Sequence, residues 1–460
     1  MHFPVYRLYA GPTGESEADA RVMATALEGA MTTYRRGDGE LLGTIARWLS
    51  AAAPHAAPPG RQRRERQRAR VRFQQLSAPT AAKSVEDTAF YRYGRLLSRN
   101  EVGSDPADFA STPADFHATC RARLDHFPRA LLATATHDHK RGEDLRARLA
   151  VISEWPDAWM EFVAAVEVAH PCAGVDAADR WMLLQMLVGA WPVALAHDDE
   201  AGIMSFRYRI GGWQQKALRE AKLRTDWATP DPTYEAACRA DLDALLSPGP
   251  ARAHIADFAA RLMPPGMINA LSQTFLRLTT PGIPDLYQGA VLWDETLVDP
   301  DNRHPPDFAT LRTMLGHGLG HGLGQGLGQG MGRPNGWRSG AIKQAMMARV
   351  LHYRREMPAL FAEGRYVPIA VEGPRADHVV AFLRTHDGRS VLAATVRLPG
   401  ALVGDASEPA IPASVWDRTR LVLPAAIRNA RDLLTDRHFD KTVTVTALFA
   451  HLPVALVSLD

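Results

Sequence analysis

Residues 130–144 read Ala130-Leu131-Leu132-Ala133-Thr134-Ala135-Thr136-His137-Asp138-His139-Lys140-Arg141-Gly142-Glu143-Asp144. A short apolar segment typical of a strand runs directly into a dense group of acids, bases and histidines. In a (β/α)8 barrel such groups follow the strands, because the face at the strand ends is open while the interior is packed. The alternative is a charged helix start, in which Asp138 caps the first turn and the acids Glu143 and Asp144 favour its positive end.

The composition predicts an ordinary globular protein of two or three domains. Of the 460 residues, 46% are hydrophobic and 23% are charged, and the net charge of +2 is too small to indicate a nucleic-acid or membrane partner. No export signal and no span of ~18 apolar residues is present, so we expect a cytoplasmic protein. The cysteines Cys120, Cys172 and Cys238 lie far apart, which predicts neither a disulfide framework nor a metal site.

The first ninety residues predict helices and one strand. Residues 19–34 and 41–52 have helical periodicity, and Phe3 to Tyr9 alternates in the manner of a strand. The segment Arg61 to Arg72 carries seven arginines but no aromatic residue for base stacking. We therefore expect a solvated helix face there rather than a nucleic-acid site.

The remainder of the chain predicts a helical region followed by a small all-β domain. Helices are expected at 161–168, 179–194, 212–222, 248–278 and 342–356, and Thr280 to Gly289 has the Pro and Gly density of a shaped loop. Residues 316–332 form a glycine-rich, low-complexity insertion that we expect to be a flexible linker. Short apolar runs after Pro358 predict strands, and we therefore expect two domains, at residues 1–358 and 359–460.

Four segments together resemble the maltooligosyltrehalose synthases, which belong to the α-amylase clan of glycoside hydrolases. Two of the segments are long: Lys83-Ser84-Val85-Glu86-Asp87-Thr88-Ala89-Phe90-Tyr91-Arg92-Tyr93, and Val298-Asp299-Pro300-Asp301-Asn302-Arg303 with the preceding Pro281 to Gly289. The other two are the His137-Asp138 block and Lys216 to Lys222. The resemblance covers nearly the whole chain and implies the C-terminal part of a (β/α)8 barrel with helical insertions, followed by the small β domain.

The resemblance also implies a reaction and two residues that carry it. Members of that family convert the reducing-end α-1,4 bond of a maltooligosaccharide into an α,α-1,1 bond, and no cofactor is implied. By motif position, Asp138 corresponds to the carboxylate that stabilises the oxocarbenium-like transition state. His137 corresponds to its sugar-binding neighbour, and a maltooligosaccharide is the implied partner.

Further substrate-binding residues are expected by resemblance, and each has a structural alternative. Lys83, Glu86, Asp87 and Tyr91 are expected to line sugar subsites, although Lys83 and Glu86 could instead form an internal ion pair. Lys140 either binds hydroxyls or pairs with neighbouring acids, and we expect Arg141 to pair with Glu143 and Asp144. Tyr287 forms a subsite wall or lies in the core. The residues Asp299, Asp301 and Arg303 are expected to hold a loop, and Trp213 and Trp227 to serve in packing.

The sequence also departs from the family pattern. We find no equivalent of the nucleophile or the acid/base, which the resemblance places on earlier barrel strands, and one carboxylate cannot do both jobs. We therefore expect the isolated chain to be inactive and to require an N-terminal half as a partner. Two alternatives are a non-catalytic protein that binds maltooligosaccharide or complements a split enzyme, and a decayed fragment. Ala290-Val291 and His304-Pro305-Pro306 depart from the expected loop sequence.

Overall fold

A computed structural model describes residues 2–11, 14–33, 39–50, 59–320, 336–423, 430–439 and 443–459, of which residues 316–320 are described by their backbone alone. The chain divides into two compact units. The first comprises residues 1–92 with 220–222, and the second comprises residues 93–219 with 223–460.

The first unit is helical. Its helices are α1 (Glu17–Thr33), α2 (Gly39–Leu49) and α3 (Arg61–Ala81), and α3 continues into a π-helical turn at Ala82–Glu86. The arginine-rich segment thus forms a helix that is mostly exposed, apart from Arg70, which is buried.

The strand predicted from Phe3 to Tyr9 is wrong. This segment is irregular, and in the described part of the unit the only ladder pairing is one bridge between Gly11 and Gly14. Alternation of apolar residues produces a strand only where another strand is available to pair with it. Side chains anchor the segment instead: Tyr6 donates a hydrogen bond to Glu86, and the Gln74 amide donates to the carbonyl of Ala10 at 3.1 Å.

The second unit begins with helices that surround one long helix. The five helices predicted between residues 161 and 356 are confirmed: those at 156–169 and 200–221 begin earlier than expected, whereas the one at 177–189 ends five residues earlier. The helix at 143–150 begins with the two acids of the helix-start alternative, and the helices at 113–126 and 232–245 were not predicted. The elements in order are α4 (Pro113–His126), β1 (Leu131–Leu132), α5 (Glu143–Ala150), α6 (Pro156–Ala169), α7 (Ala177–Gly189), α8 (Glu200–Ala221), α9 (Pro232–Leu245) and α10 (Pro250–Thr279). The last residues of α8 belong to the first unit. Helix α10 is 30 residues long and packs against α5, α6 and α7, so most of its residues are buried.

Strand β1 pairs in parallel with β2 (Ile283–Pro284), with Leu131 opposite Ile283 and Leu132 opposite Pro284. The whole helical region from α5 to α10 forms the connection between these two strands. Since the strands are parallel, the loops that follow them leave from the same edge. This edge positions the candidate site.

A seven-stranded antiparallel sheet completes the unit after helices α11 (Phe308–Gly320), α12 (Ala341–Glu356) and α13 (Pro358–Ala362). The strand order is β6-β3-β4-β5-β9-β7-β8. The remaining elements are β3 (Arg365–Glu372), β4 (Val379–His386), β5 (Arg389–Val396), α14 (Gly400–Val403), β6 (Arg420–Val422), β7 (Ala430–Asp432), β8 (His438–Phe439), α15 (Val445–Leu448) and β9 (Val454–Leu459). Strands β4, β5 and β9 are almost fully buried, because α10 and α12 cover one face.

Two sequence-based expectations concern the organisation of this unit. The domain boundary between residues 358 and 359 stays a prediction, although all strands of the large sheet lie between residues 365 and 459. The glycine-rich insertion falls partly on the end of α11, and its residues 321–332 lie outside the described residues. Among the helices of the described chain, none has the length and apolarity that a membrane span requires.

Glu154 joins the turn before α6 to the sheet region. Its carboxylate accepts a hydrogen bond from the backbone N–H of Gly400 at 2.8 Å. Burial raises the pKa of Glu154 to about 7, although the backbone N–H groups of Gly400 and Ala401 oppose the shift. A carboxyl whose pKa is higher in the folded state stabilises the fold fully below its unfolded pKa of 4.5, and this contribution is lost as the pH rises through about 7.

We expect Glu154→Gln to stabilise the protein above pH 7.5, because glutamine cannot ionise and its carbonyl oxygen can still accept the Gly400 hydrogen bond. The gain at pH 8 should be roughly 2 to 3 kcal/mol, and it should vanish near pH 4.5. Urea unfolding between pH 5 and pH 8 measures it. Glu161→Gln, at an exposed position of α6, is the matched control and should leave the pH dependence unchanged. Equal pH slopes for Glu154→Gln and the wild type would contradict the assignment.

Candidate functional site

The loops that follow β1 and β2 meet at the shared strand edge. Arg141 forms an antiparallel bridge with Leu297, and the N–H of Gly142 donates to the carbonyl of Thr296 at 2.7 Å. The amide of Asn302 donates to the carbonyl of His137 at 3.2 Å. The loop that carries His137 and Asp138 is therefore fixed to the loop after β2 by backbone contacts, which limits how far its side chains can move.

Asp138 lies at the rim of this edge. Its side chain is 38% exposed, and the ammonium of Lys140, only 1% exposed, lies 3.1 Å from Oδ1. The backbone N–H of Asp138 donates to the Thr136 hydroxyl at 3.2 Å. The alternative in which Asp138 caps a helix is wrong, because α5 begins after Gly142 and has no side-chain cap. The carboxylate is thus paired with a buried side chain and remains partly open to solvent.

Glu101 anchors the loop beneath Asp138. Its carboxylate accepts the backbone N–H groups of Lys140, at 3.0 and 3.1 Å, and of Arg141, at 3.3 Å. It also forms an ion pair with Arg146 at 3.3 Å. The guanidinium of Arg141 donates to the carbonyl of Asn100 at 3.1 Å. Both bases of the loop are therefore buried against this segment, and Arg141 acts in holding the loop in place.

The acids Glu143 and Asp144 form a fully buried charge cluster with Lys343 of α12. The Lys343 ammonium lies 2.7 Å from an oxygen of each carboxylate, and Arg277 lies 2.6 Å from Glu143. Burial opposes ionisation of both acids. It raises the pKa of Asp144, whereas Lys343 and Arg277 hold the pKa of Glu143 well below its usual range. The predicted partner of these acids was Arg141, and the structure gives them Lys343 and Arg277.

His139 and Tyr287 connect the two loops on the inner side. The His139 ring lies 3.0 Å from the Thr296 hydroxyl and packs edge to face against Tyr287, with ring centres 5.5 Å apart. Burial lowers the pKa of His139, so the neutral ring is favoured. The Tyr287 hydroxyl donates to the carbonyl of Asn302 at 3.1 Å. Tyr287 is half-buried, so it both supports the loop and faces an open pocket.

The loop after β2 is held by two ion pairs with α8, as expected for its acids. Arg209 contacts Asp301 at 2.9 Å, and Lys216 contacts Asp299 at 2.6 Å. Burial disfavours the charged form of Asp301, yet the Arg209 guanidinium holds the pKa of Asp301 below its usual range. Four of the five positions that depart from the family pattern line a pocket of about 370 Å³ beside Tyr287, namely Ala290, His304, Pro305 and Pro306.

The candidates Lys83, Glu86, Asp87 and Tyr91 lie together in the first unit, on the π-helical turn and the residues after it. Lys83 forms an ion pair with Asp87, whereas Glu86 is buried and accepts the hydroxyl of Tyr6. Tyr91 is 2% exposed. The remaining candidates, His137, Asp138, Lys140 and Tyr287, lie together in the second unit. The substrate contacts of all eight residues stay predictions.

Three residues that position the site were not found from the sequence: Glu101, Thr296 and Lys343. Each lies far along the chain from the loop it holds, and no spacing motif connects them. Lys343 alone gives a signal, since it interrupts the apolar periodicity of a helix. In the part of the chain that the structure describes, no cluster of His, Cys, Asp and Glu has the arrangement of a metal site.

The parallel strand pair with a half-exposed carboxylate at its loop edge, the helical insertions and the following antiparallel sheet match solved structures of the glycoside hydrolase-like class. The predicted fold class, the C-terminal part of a (β/α)8 barrel followed by a small all-β domain, is confirmed by known structures. Maltooligosyltrehalose synthase from Arthrobacter ramosus matches with a TM-score of 0.79 and 32% identity, over 100% of this chain and 53% of that chain. A variant of the same synthase matches with a TM-score of 0.78 and 33% identity, and the match covers the same shares of both chains.

Sequence comparison finds proteins of the same name in another organism. The chain is 37% identical over 394 residues to a Mycobacterium tuberculosis protein named "Putative maltooligosyl trehalose synthase". The aligned region covers 85% of this chain and 45% of that protein. The same match occurs in a second strain. No protein-family model matches. The chain is therefore related to the maltooligosyltrehalose synthases, and it spans about half the length of the curated relatives it matches.

Proposed function

We propose that this chain forms part of the active site of a maltooligosyltrehalose synthase-like enzyme, in which Asp138 stabilises the transition state of an intramolecular glucosyl transfer. The single observation that carries the proposal is the placement of Asp138: a half-exposed carboxylate at the edge where two parallel barrel strands end, held by a buried ammonium. Active sites of (β/α)8 enzymes lie at this edge.

The surroundings of Asp138 suit an electrostatic role. Breaking a glycosidic bond creates positive charge on the sugar ring, and a fixed carboxylate close to that charge lowers the barrier. The ammonium of Lys140 contacts Oδ1 of Asp138, so we assign Oδ2 to the side that meets the sugar. We assign to Lys140 the positioning of Asp138, since its ammonium is buried. His137 is exposed next to it and is our candidate for binding a sugar hydroxyl.

The rest of the reaction needs groups that this chain does not supply in our proposal. A retaining transfer uses a nucleophile and an acid/base whose carboxyl groups are about 5 to 5.5 Å apart. We propose that both come from the part of the synthases that this chain does not match. His139, whose pKa is lowered by burial and whose ring packs between the loops, would then serve only to hold the Asp138 loop in position.

We expect the chain alone to form no trehalose-ended product from maltopentaose. A fusion that joins the unmatched half of the Arthrobacter ramosus synthase to the start of this chain should form it, because the fusion unites the three carboxylates. The loss of reducing ends measures the reaction, and the unmatched half alone is the control. Turnover by the purified chain alone, absent from its Asp138→Asn variant, would contradict the proposed division of the site.

A further inference from the structure

A second and larger pocket, of about 890 Å³, lies between one face of α8 and the segment 296–301 of the loop after β2. We call it the α8 pocket. On the helix side its wall includes Tyr208, Gly212 and Gln215, and on the loop side it includes Asp299. None of the eight residues predicted to bind or rearrange the substrate lines it.

The charges around the α8 pocket cancel. Three basic and three acidic side chains line it, and each has a partner of opposite charge. The pairs are Arg209 with Asp301 at 2.9 Å, Lys216 with Asp299 at 2.6 Å, Arg239 with Asp243 at 3.3 Å, and Arg219 with Glu235 at 2.8 Å. The charged groups of the wall are thus largely balanced by one another and give a charged ligand little net attraction. The pocket therefore suits an uncharged ligand that makes apolar contacts and a few hydrogen bonds.

The face of α8 in this pocket has an exposed aromatic ring next to open space. Tyr208 is 79% exposed, and Gly212, one turn further on, has no atom within 4 Å of the position its Cβ would take. Glycine inside a helix costs roughly 0.5 to 1 kcal/mol relative to alanine, and here it leaves room beside the ring. Gln215 is exposed one turn beyond, and its amide nitrogen donates to Glu235 at 3.2 Å, so its carbonyl oxygen is the group that could accept from a ligand. An aromatic face with such an acceptor beside it can cover the apolar face of a pyranose and bind a hydroxyl.

The loop that forms one wall of the pocket contacts the loop that carries Asp138. Leu297 forms the backbone bridge to Arg141, and Thr296 contacts His139. Both Thr296 and Leu297 line the α8 pocket. The segment that forms one wall of the pocket is thus the segment that holds the proposed catalytic loop.

We propose that the α8 pocket binds an uncharged α-1,4-linked glucan, as a site for glucose units other than those rearranged at Asp138. The balanced charges of the wall and the exposed ring carry the ligand class, and the choice of the α-1,4 linkage rests on the proposed function. The site lies wholly within the second unit of this chain. Binding there therefore does not require the catalytic groups that we assign to the unmatched half of the synthases.

The test is calorimetric titration of the full chain with maltoheptaose. Gly212→Phe fills the pocket and should weaken binding at least tenfold, and Tyr208→Ala should weaken it about three- to tenfold. Gly43→Phe is the matched control for the first variant, because Gly43 lies inside α2 and also has open space around its Cβ position. Met204→Ala, at an exposed position one turn before Tyr208, is the control for the second. Circular dichroism verifies that all four variants fold.

Weaker binding by both pocket variants, with both controls at the wild-type affinity, supports the proposal. Wild-type affinity in Gly212→Phe and Tyr208→Ala overturns it, and so does the absence of binding by the wild type. Asp138→Asn separates the two proposals, because it should leave this binding unchanged. An inactive fusion enzyme together with glucan binding that depends on Gly212 would refute the proposed function and support the pocket.

Discussion

Asp138→Asn in the active fusion is expected to lower kcat by about 10²-fold or more, with little change in KM. The substitution keeps the shape of the side chain, and its oxygen can still accept the hydrogen bond of Lys140. It removes the negative charge that would face the developing positive charge, and groups of this kind contribute about 10² to 10³ in rate. Because the loss occurs only in the transition state, kcat and kcat/KM should fall equally. Initial rates over a range of maltopentaose concentrations measure both.

Asp198→Asn is the matched control, since Asp198 is an exposed acid elsewhere in the same unit. It should keep the rate of the parent fusion. The Asp138→Asn variant should also keep the unfolding midpoint of the parent, because Asp138 is half-exposed and lies outside the buried core. A fusion that retains full activity with asparagine at this position would mean that Asp138 is not the stabilising carboxylate.

The parts of this fold that could be predicted from the sequence are those determined by neighbouring residues. Helical periodicity identified the interior helices, because each buries an apolar stripe that recurs within a few residues. The sequence also predicted that Asp138 follows a strand, because an apolar run there ends directly before a block of polar residues. The strand predicted at Phe3 failed for the opposite reason, since a strand depends on a partner elsewhere in the chain.

The groups that hold the site could not be predicted, because they act over long sequence separations. Glu101 contacts backbone N–H groups some 40 residues away, and Lys343 contacts carboxylates 199 and 200 residues away. Every residue except proline has a backbone N–H group, so the types of the residues that Glu101 contacts do not reveal the contact. Lys140 shows the same limit: its charge suggests a sugar contact, but only the fold shows that its ammonium is buried beneath Asp138.

Lys343→Met is expected to destabilise the second unit by about 3 to 5 kcal/mol, which is the usual cost of removing one partner from a buried ion pair. The variant leaves Glu143 with Arg277 but deprives Asp144 of its cation, in a site that is completely buried. The remaining carboxyl must then take up a proton or unfold its surroundings. Urea unfolding, followed by the fluorescence of the tryptophans, measures the loss.

The double variant Lys343→Met with Asp144→Asn identifies the cause. Asparagine can still accept the N–H of Asp294, which Asp144 accepts at 2.6 Å, and it carries no charge to leave unpaired. We therefore expect the double variant to recover at least half of the lost stability. The single variant should also be less destabilised at pH 5 than at pH 8, because a buried acid with a raised pKa stabilises the fold below its unfolded pKa and loses that contribution as the pH rises. Equal losses for the single and double variants at both pH values would show that Lys343 acts through packing of its stem, and that the charges of Glu143 and Asp144 are balanced without it.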